Sequence, residues 1–474
     1  MREYLWEAVA VFATVRPALD APTVAALQAG LVRHCERGFV LGANAADTDR
    51  TSGRYFASAL ADKHLGTDYL SRPSPGAGKP PMGGLTATAA DSTTCRNLIR
   101  RYCEEAAGGW WTTGSEYGPN EAVAVVAGAI AVGIADFPDV AAFAAAAADA
   151  PGWDEWPGGA YVQFADDQSP RNTYYQRRIN WYCVLAAGSG SDLPLPAAAR
   201  LLVGRTLRSG LQFGWRAVGL LDPARLDAAP AYAAPAGLVV KGGHVRYADA
   251  ARGVLVVCYL PARLNIHHEP LYGSDVRAWA GGPGGAYALD HPIGYGFNPN
   301  DARSTNGAAV WGMSSPEYRG ITSAAAVGGG FQLTGETSGW SYNQKIPKAV
   351  SSCGYTTTIR YEDGLLTRTY AFTAPDNSDP GPFFRPTTYD RVTYLARKGR
   401  CQVTTHFLTA PAEGPAGTWT AGTQVVTVTG HTAAVVELAT SAGMYASEQL
   451  GYRLVCWSNG PTPTIAVVQR VAPA

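Results

Sequence analysis

At Asp227-Ala228-Ala229-Pro230-Ala231-Tyr232-Ala233-Ala234-Pro235-Ala236-Gly237 the residue pattern of this chain changes, and that change decides the fold. Alanine and proline without hydrophobic periodicity are typical of a linker between domains. Before this stretch, alanine-rich segments carry apolar residues at helical spacing. After it, short β-branched segments alternate apolar and polar residues. The sequence therefore predicts an all-α half followed by an all-β half.

The N-terminal half contains several amphipathic stretches whose joints are rich in Gly, Pro and Asp. Some begin at a capping residue or a proline, as at Asp91 and Pro196, which is a helix-start signal. Antiparallel hairpins of such helices form bundles or toroids. The predicted helices are Thr23–Arg37, Ser92–Ala107, Asn120–Ala135, Val140–Ala148, Asn172–Ala187 and Pro196–Leu211.

The C-terminal half has turn residues between short strands, at intervals typical of an antiparallel β-sandwich. Its clearest predicted strands are Gly253–Tyr259, Tyr355–Tyr361, Thr423–Thr429 and Thr464–Val468. We therefore expect an α/α toroid, an incomplete helical barrel, as the catalytic domain over residues 1–226. A linker over 227–240 and a β-sandwich over 241–474 follow. No Gly-rich nucleotide motif opens a helix, so we expect no cofactor.

Composition excludes several function classes. Lys+Arg and Asp+Glu balance at 38 each, whereas a nucleic-acid binder shows a basic excess. The eight cysteines include no CxxC pair, so we expect buried free thiols and no metal site. No run of strongly apolar residues is long enough to cross a membrane, and the first residues do not form a signal peptide. We expect a monomer that is secreted or periplasmic if an export signal has been removed, and otherwise cytoplasmic.

Two adjacent tryptophans form the most informative local motif. Trp110 and Trp111 precede Glu116, Tyr117 and, at the start of a predicted helix, Asn120. Neighbouring indoles are costly to leave in water, and the C–H face of a sugar ring suits them. A pair of core tryptophans at a helix start is the alternative interpretation.

A second cluster lies on the predicted helix from Asn172. Asn172, Tyr175, Gln176 and Asn180 are spaced to share one face, which is too polar and aromatic for a core stripe. This face is either solvated or the wall of a groove, and tyrosines beside arginines favour the groove. The neighbouring candidates for substrate binding are Tyr174, Arg177 and Arg178.

A third cluster contains the adjacent pair His267 and His268, with Tyr272 close behind. In a strand the two histidines lie on opposite faces, so at most one serves a given site. A structural role for the histidine is the alternative. A metal site would need a third ligand, and no spacing supports one.

These motifs resemble the polysaccharide lyases of the hyaluronate, chondroitin and xanthan lyase type (family 8), of which the heparinases are distant relatives. In that family an Asn-Trp-Trp-x-x-Glu-Ile-Gly-x-Pro motif precedes a long helix of a toroid, and Gly109–Pro119 is similar, with two extra residues between the tryptophans and Glu116. The family's substrate-neutralising asparagine lies in a later helix start, where this chain has Asn172. The family's sandwich motifs are similar to Arg263–Asp275 and Asp301–Gly307.

The resemblance implies β-elimination next to a uronate, without a cofactor. Asn172 would neutralise the carboxylate, Tyr175 or Tyr117 would act as base or acid, and His267 or His268 would be an alternative base. The twin indoles would hold the sugar ring of an anionic polysaccharide.

The chain departs from the family at Arg208–Trp215, where the family's catalytic His and Tyr are not found. A non-catalytic glycan-binding protein with a decayed lyase site therefore stays open. A glycoside hydrolase on a similar toroid also stays open, with Glu116 and Asp166 or Asp167 as its two carboxylates.

Overall fold

The structure is a computed structural model, and its chain divides into two compact units. One unit comprises residues 1–152 and 173–234, and the other comprises residues 153–172 and 235–474. The structure describes residues 5–40, 60–73, 94, 96–97, 186–188, 195, 197, 199–200, 203, 221–231, 236–241, 244–260, 275–281, 286–289, 308–310, 315–340, 352–373, 401–440, 449–458, 460 and 462–471.

The first unit begins with two helices, α1 (Leu5–Val15) and α2 (Ala21–Val40). Helix α2 contains the first predicted helix, and the carboxylate of Asp20 accepts the backbone N–H of Thr23 at its start, 2.8 Å away. Residues 60–65 are also helical, and α3 is a short helix over Pro223–Asp227. The other predicted helices lie mostly or wholly outside the described residues, so the toroid stays a prediction.

A network of hydrogen bonds holds residues 60–73 against α2. The Asp62 carboxylate accepts the backbone N–H groups of Tyr69 and Leu70, each at 2.8 Å. Tyr69 is fully buried and donates its hydroxyl to the carbonyl of Val32 at 3.4 Å. Burial is the first cause that raises the pKa of Tyr69 above its ordinary value. This tyrosine is therefore a structural anchor that keeps its proton.

The second unit is built from antiparallel strands, seventeen of them within the described residues. They are β1 (Gly237–Lys241), β2 (His244–Asp249), β3 (Val254–Tyr259), β4 (Asp275–Ala280), β5 (Ala286–Leu289), β6 (Ala308–Val310), β7 (Ser315–Val327), β8 (Gly330–Trp340), β9 (Ser352–Glu362), β10 (Leu365–Phe372), β11 (Cys401–Phe407), β12 (Ala412–Glu413), β13 (Thr418–Ala421), β14 (Gln424–Thr429), β15 (Ala433–Thr440), β16 (Gln449–Ser458) and β17 (Thr464–Arg470).

The strands form three sheets. A five-stranded sheet has the order β1-β2-β3-β4-β5, and a four-stranded sheet has the order β15-β16-β11-β6. The largest sheet has eight strands, in the order β12-β13-β14-β17-β10-β9-β8-β7. Each of the two smaller sheets packs against the same face of the eight-stranded sheet, since cross-strand register places all its core residues on one side. The result is a β-sandwich with one continuous layer and one divided layer.

Two apolar cores fill this sandwich. Phe331 and Ile359 of the long sheet pack with Val256 of the five-stranded sheet in one core, and all three are fully buried. Trp419 of the long sheet packs with Leu454 of the four-stranded sheet in the other.

A buried arginine also reaches from the long sheet to the four-stranded sheet. The fully buried Arg368 donates a hydrogen bond of 2.9 Å to the hydroxyl of Thr405 on β11. The divided layer is thus held by apolar packing in both halves and, in one of them, by a charged hydrogen bond as well.

The predicted strands agree with the structure at β3, β9, β14 and β17. The first strand begins at Gly237, inside the segment 227–240 that the sequence assigns to the linker. The run Leu238-Val239-Val240 explains this start, because β-branched residues favour a strand and β2 pairs with it directly. Cys35 and Cys456 are buried free thiols, as expected.

Candidate functional site

The sequence-predicted site residues all lie outside the described residues. Their roles as catalytic or substrate-binding groups therefore stay predictions. The residues concerned are Trp110, Trp111, Glu116, Tyr117, Asn120, Asn172, Tyr174, Tyr175, Arg177, Arg178, His267, His268 and Tyr272.

The described strands nevertheless fix where the histidine-bearing segment joins the fold. Strand β3 ends at Tyr259 and β4 begins at Asp275, and these two residues are cross-strand neighbours. The chain from 260 to 274, which carries His267 and His268, therefore leaves and re-enters the five-stranded sheet at one end. Strand β5 runs toward the same end but stops earlier, since its last residue Leu289 pairs with Ala278, the fourth residue of β4.

Three residues with acid–base side chains occupy one lateral row at this end. His244 of β2 is paired with Tyr259 of β3, and Tyr259 is paired with Asp275 of β4. Residues paired in this way across antiparallel strands have Cα atoms about 4.5–5.5 Å apart and share a face of the sheet. Lys241 of β1 is paired with His244 and extends the row to a fourth strand. We refer to His244, Tyr259 and Asp275 as the end row.

The end row shares its sheet face with two arginines. Because side chains alternate along a strand, Arg246 and Arg277 fall on the same face as the end row, one step of about 6.6 Å further along β2 and β4. Val257 lies between them in register. Arg246 is 6% exposed and Arg277 is 2% exposed, so this face of the sheet is covered.

A covered sheet face with two arginines is not explained by apolar packing. The opposite face carries Val245, Val256 and Val276, all fully buried in the core. A buried guanidinium is costly unless the surroundings supply polar or charged groups, and neither arginine is without a partner. The five-stranded sheet therefore has one face in the apolar core of the sandwich and an opposite face on which the two arginines are buried beside Leu255 and Val257.

The other end of the five-stranded sheet is hydrogen-bonded to the eight-stranded sheet. Arg252, in the turn after β2, donates to the carboxylate of Asp363 at 2.9 Å and to the carbonyl of Gly329 at 2.8 Å. Beside it, the ring of Tyr247 lies 5.2 Å from Phe331 and 5.5 Å from Tyr361. Burial raises the pKa of Tyr247 and that of Tyr361, so these two phenols are poor proton donors.

A second row of polar residues lies on the outer face of the four-stranded sheet. Register places Glu437, Arg453 and His406 side by side on β15, β16 and β11. The guanidinium of Arg453 forms an ion pair with the Glu437 carboxylate, and its Nε donates at 2.9 Å. His406 is 5% exposed, and Gln424 donates to its carbonyl at 2.9 Å. A closed ion pair of this kind suits a structural role.

Sequence reasoning did not single out the residues of the end row or their two arginines. The sequence does predict that His244 and Arg246 lie on one face of their strand, because they are two residues apart, and the same holds for Asp275 and Arg277. The pairing of β3 with β4 could not be predicted from the sequence, because a connection of fifteen residues does not fix which residues of the two strands lie opposite each other.

No group of three or more metal-ligating side chains occurs among the described residues. No helix in the described part is long and apolar enough to cross a membrane.

Comparison with solved structures shows a heparinase-like fold. The chain is similar to a structure described as a heparinase III gene product, with a TM-score of 0.51 and 10% identity over 95% of this chain and 64% of that one. It is also similar to a second structure of heparinase III, with a TM-score of 0.51 and 8% identity over 95% of this chain and 65% of that one. The chain thus spans less than two thirds of the length of these neighbours. No protein-family model and no curated protein matches the sequence.

Proposed function

We propose that this chain is a polysaccharide lyase that cleaves a uronic-acid-containing polysaccharide by β-elimination. The observation that carries the proposal is the likeness of nearly the whole chain to heparinase III structures. The family-8-like motif at Trp110–Pro119 supports it from the sequence. In this proposal the helical residues 1–226 are the catalytic toroid and residues 241–474 are the sandwich, joined by the linker at 227–240.

Elimination next to a uronate requires a neutralised carboxylate, a base for the C5 proton and an acid for the leaving oxygen. Asn172 is the proposed neutralising donor, and Tyr175 or Tyr117 is the proposed base or acid. His267 or His268 is the alternative base. None of these groups needs a cofactor to move a proton.

The remaining candidates bind the polymer. Trp110 and Trp111 would stack on sugar rings, which present an apolar C–H face. Arginine forks suit carboxylates, so Arg177 and Arg178 would select an anionic chain. The other proposed substrate-binding residues are Glu116, Asn120, Tyr174 and Tyr272.

The test is cleavage of uronate polymers such as hyaluronate, chondroitin or alginate, followed by the ultraviolet absorbance of the unsaturated product. We expect signal from the wild-type chain, a loss of at least about 100-fold in Asn172→Ala and Tyr175→Phe, and no loss in Tyr247→Phe. Tyr247 is the matched control because it is buried in the sandwich core. Full activity in both Asn172→Ala and Tyr175→Phe would contradict the residue assignment.

A glycan-binding protein without activity is the second candidate, since the family's His and Tyr motif is not found at Arg208–Trp215. It predicts that a polymer-containing gel retards the chain while the viscosity of the polymer stays constant. Release of reducing ends without ultraviolet absorbance would instead indicate a hydrolase.

A further inference from the structure

A diagonal line of buried polar residues crosses the face of the eight-stranded sheet that packs against the two smaller sheets. On each of three adjacent strands, the residue of this face that separates the two apolar cores is polar, and all three residues are at most 1% exposed. They are Thr357 on β9, Arg368 on β10 and Gln469 on β17. We refer to these three residues as the polar seam.

The register of the strands makes the polar seam continuous. Thr357 is paired with Tyr370, which lies two residues after Arg368 on β10. Gln469 is paired with Leu366, which lies two residues before Arg368. Thr357 and Gln469 are therefore diagonal neighbours of Arg368 on its two sides, and diagonal neighbours in a sheet are about 7–8 Å apart.

The residues on the two sides of the polar seam belong to different cores. Each of the three strands passes from one core to the other at its seam residue. The flanking residues are Leu366, Ile359 and Val471 in the core shared with the five-stranded sheet, and Tyr370, Tyr355 and Val467 in the core shared with the four-stranded sheet. A domain usually has one contiguous apolar core, so the polar seam marks a boundary inside a single sandwich.

The opposite layer is divided as well, because no ladder joins the two smaller sheets among the described strands. At the boundary, Arg368 donates a hydrogen bond of 2.9 Å to the hydroxyl of Thr405 on the four-stranded sheet. Guanidinium and hydroxyl groups regain hydrogen bonds from water when they separate, whereas apolar side chains in the same place would expose apolar surface. The sandwich can therefore open at the polar seam without exposing apolar area there.

We infer that the polar seam divides the sandwich into two units that open independently of each other. One unit is the five-stranded sheet and the other is the four-stranded sheet, each with its own part of the eight-stranded sheet. Local opening in proteins occurs in contiguous cooperative units, and packed side chains transmit it. Because the polar seam interrupts the apolar packing on three strands, a change that loosens one core stays confined to the sheet of that core.

Two matched substitutions in the full chain test this inference by native-state hydrogen exchange with mass spectrometry. Val403→Ala on β11 and Val256→Ala on β3 remove the same methyl groups from buried valines on inner strands of the two smaller sheets. Val403→Ala should raise the exchange rates of the β11 and β16 amides by about tenfold or more, and those of β2–β4 by less than about threefold. Val256→Ala should do the reverse. A rise of more than about threefold in the other sheet after either substitution overturns the inference.

Two further variants test the polar seam itself. Arg368→Met places an apolar side chain in the seam, and Thr357→Val does so while keeping the shape of the side chain. In at least one of these two backgrounds, Val403→Ala should raise exchange in β3 as well as in β11 by more than about threefold. Exchange that stays confined to β11 and β16 in both backgrounds overturns the inference, because the seam then does not set the boundary.

The wild-type chain decides if the alanine variants do not fold by circular dichroism. The urea dependence of exchange then shows whether β3 and β11 open together. Two separate opening steps support the inference, and one common step overturns it.

Discussion

Removal of one charge from the ion pair between Glu437 and Arg453 should destabilise the sandwich far more than removal of one from a surface pair. The Arg453 side chain is 7% exposed and that of Glu437 is 23% exposed, and the two residues are direct neighbours on β15 and β16. Breaking a fully buried pair costs about 3–5 kcal/mol, because one charge stays buried without its partner. Glu437 is partly exposed and glutamine keeps an acceptor, so Glu437→Gln should cost about 2–3 kcal/mol.

The matched control is Glu362→Gln. Glu362 pairs with Arg360 on β9, and their side chains are 40% and 49% exposed, so this pair contributes about 0–1 kcal/mol. Equilibrium unfolding in urea, followed by circular dichroism, gives both free-energy changes without the screening that guanidinium would add.

Two results would refute the reasoning on Glu437. One is a cost for Glu437→Gln that lies within about 0.5 kcal/mol of the cost for Glu362→Gln. The other concerns the double variant Glu437→Leu/Arg453→Met, which removes both charges and should recover most of the lost stability. A double variant less stable than Glu437→Gln alone would show that the pair does more than neutralise a buried charge.

Three further changes have defined outcomes. Burial, ahead of a nearby carboxylate, raises the pKa of Cys456 to about 12, so its peptide should escape alkylation at pH 8 in the folded chain and react in urea, as mass spectrometry would show. Burial is also the first cause that lowers the pKa of His64 below 6.5; the neutral ring therefore favours the folded state above that pH, and stability should decline below it. His64→Gln should flatten that decline in urea titrations between about pH 7 and 5, and an unchanged slope would argue against it. Gly430 has φ +80°, and a Cβ there would lie 1.9 Å from the carbonyl oxygen of Thr464, so Gly430→Ala should lower the unfolding free energy by more than about 2 kcal/mol. Gly422→Ala, at φ +58° with open space around it, should cost only the backbone strain of about 1 kcal/mol, and equal costs for the two would contradict the clash.

Several individual elements among the described residues were predicted from sequence. Alternation in Tyr355–Tyr361 and Thr464–Val468 predicted strands that the structure contains as β9 and β17. The helix predicted at Thr23–Arg37 lies within α2. These signals are local, because a period of two or of 3.6 residues is a property of a few consecutive side chains.

Strands buried on both faces were harder to interpret. Every residue of β11 is buried, although four of its seven residues, Gln402, Thr404, Thr405 and His406, are polar. Polarity alone would have placed most of these residues in solvent. Whether a sheet face is covered depends on distant parts of the chain, so the local sequence pattern does not predict it.

Sequence by itself determined the strands β3, β9, β14 and β17 and the helix within α2, and which residues of a strand share a face. Only the tertiary structure decided that His244, Tyr259 and Asp275 are neighbours, and that Glu437 faces Arg453. The physical reason is that covalent geometry makes successive side chains of a strand alternate between the two faces. Which residue lies opposite on the neighbouring strand depends instead on how the two apolar cores pack, and these cores join residues far apart in sequence.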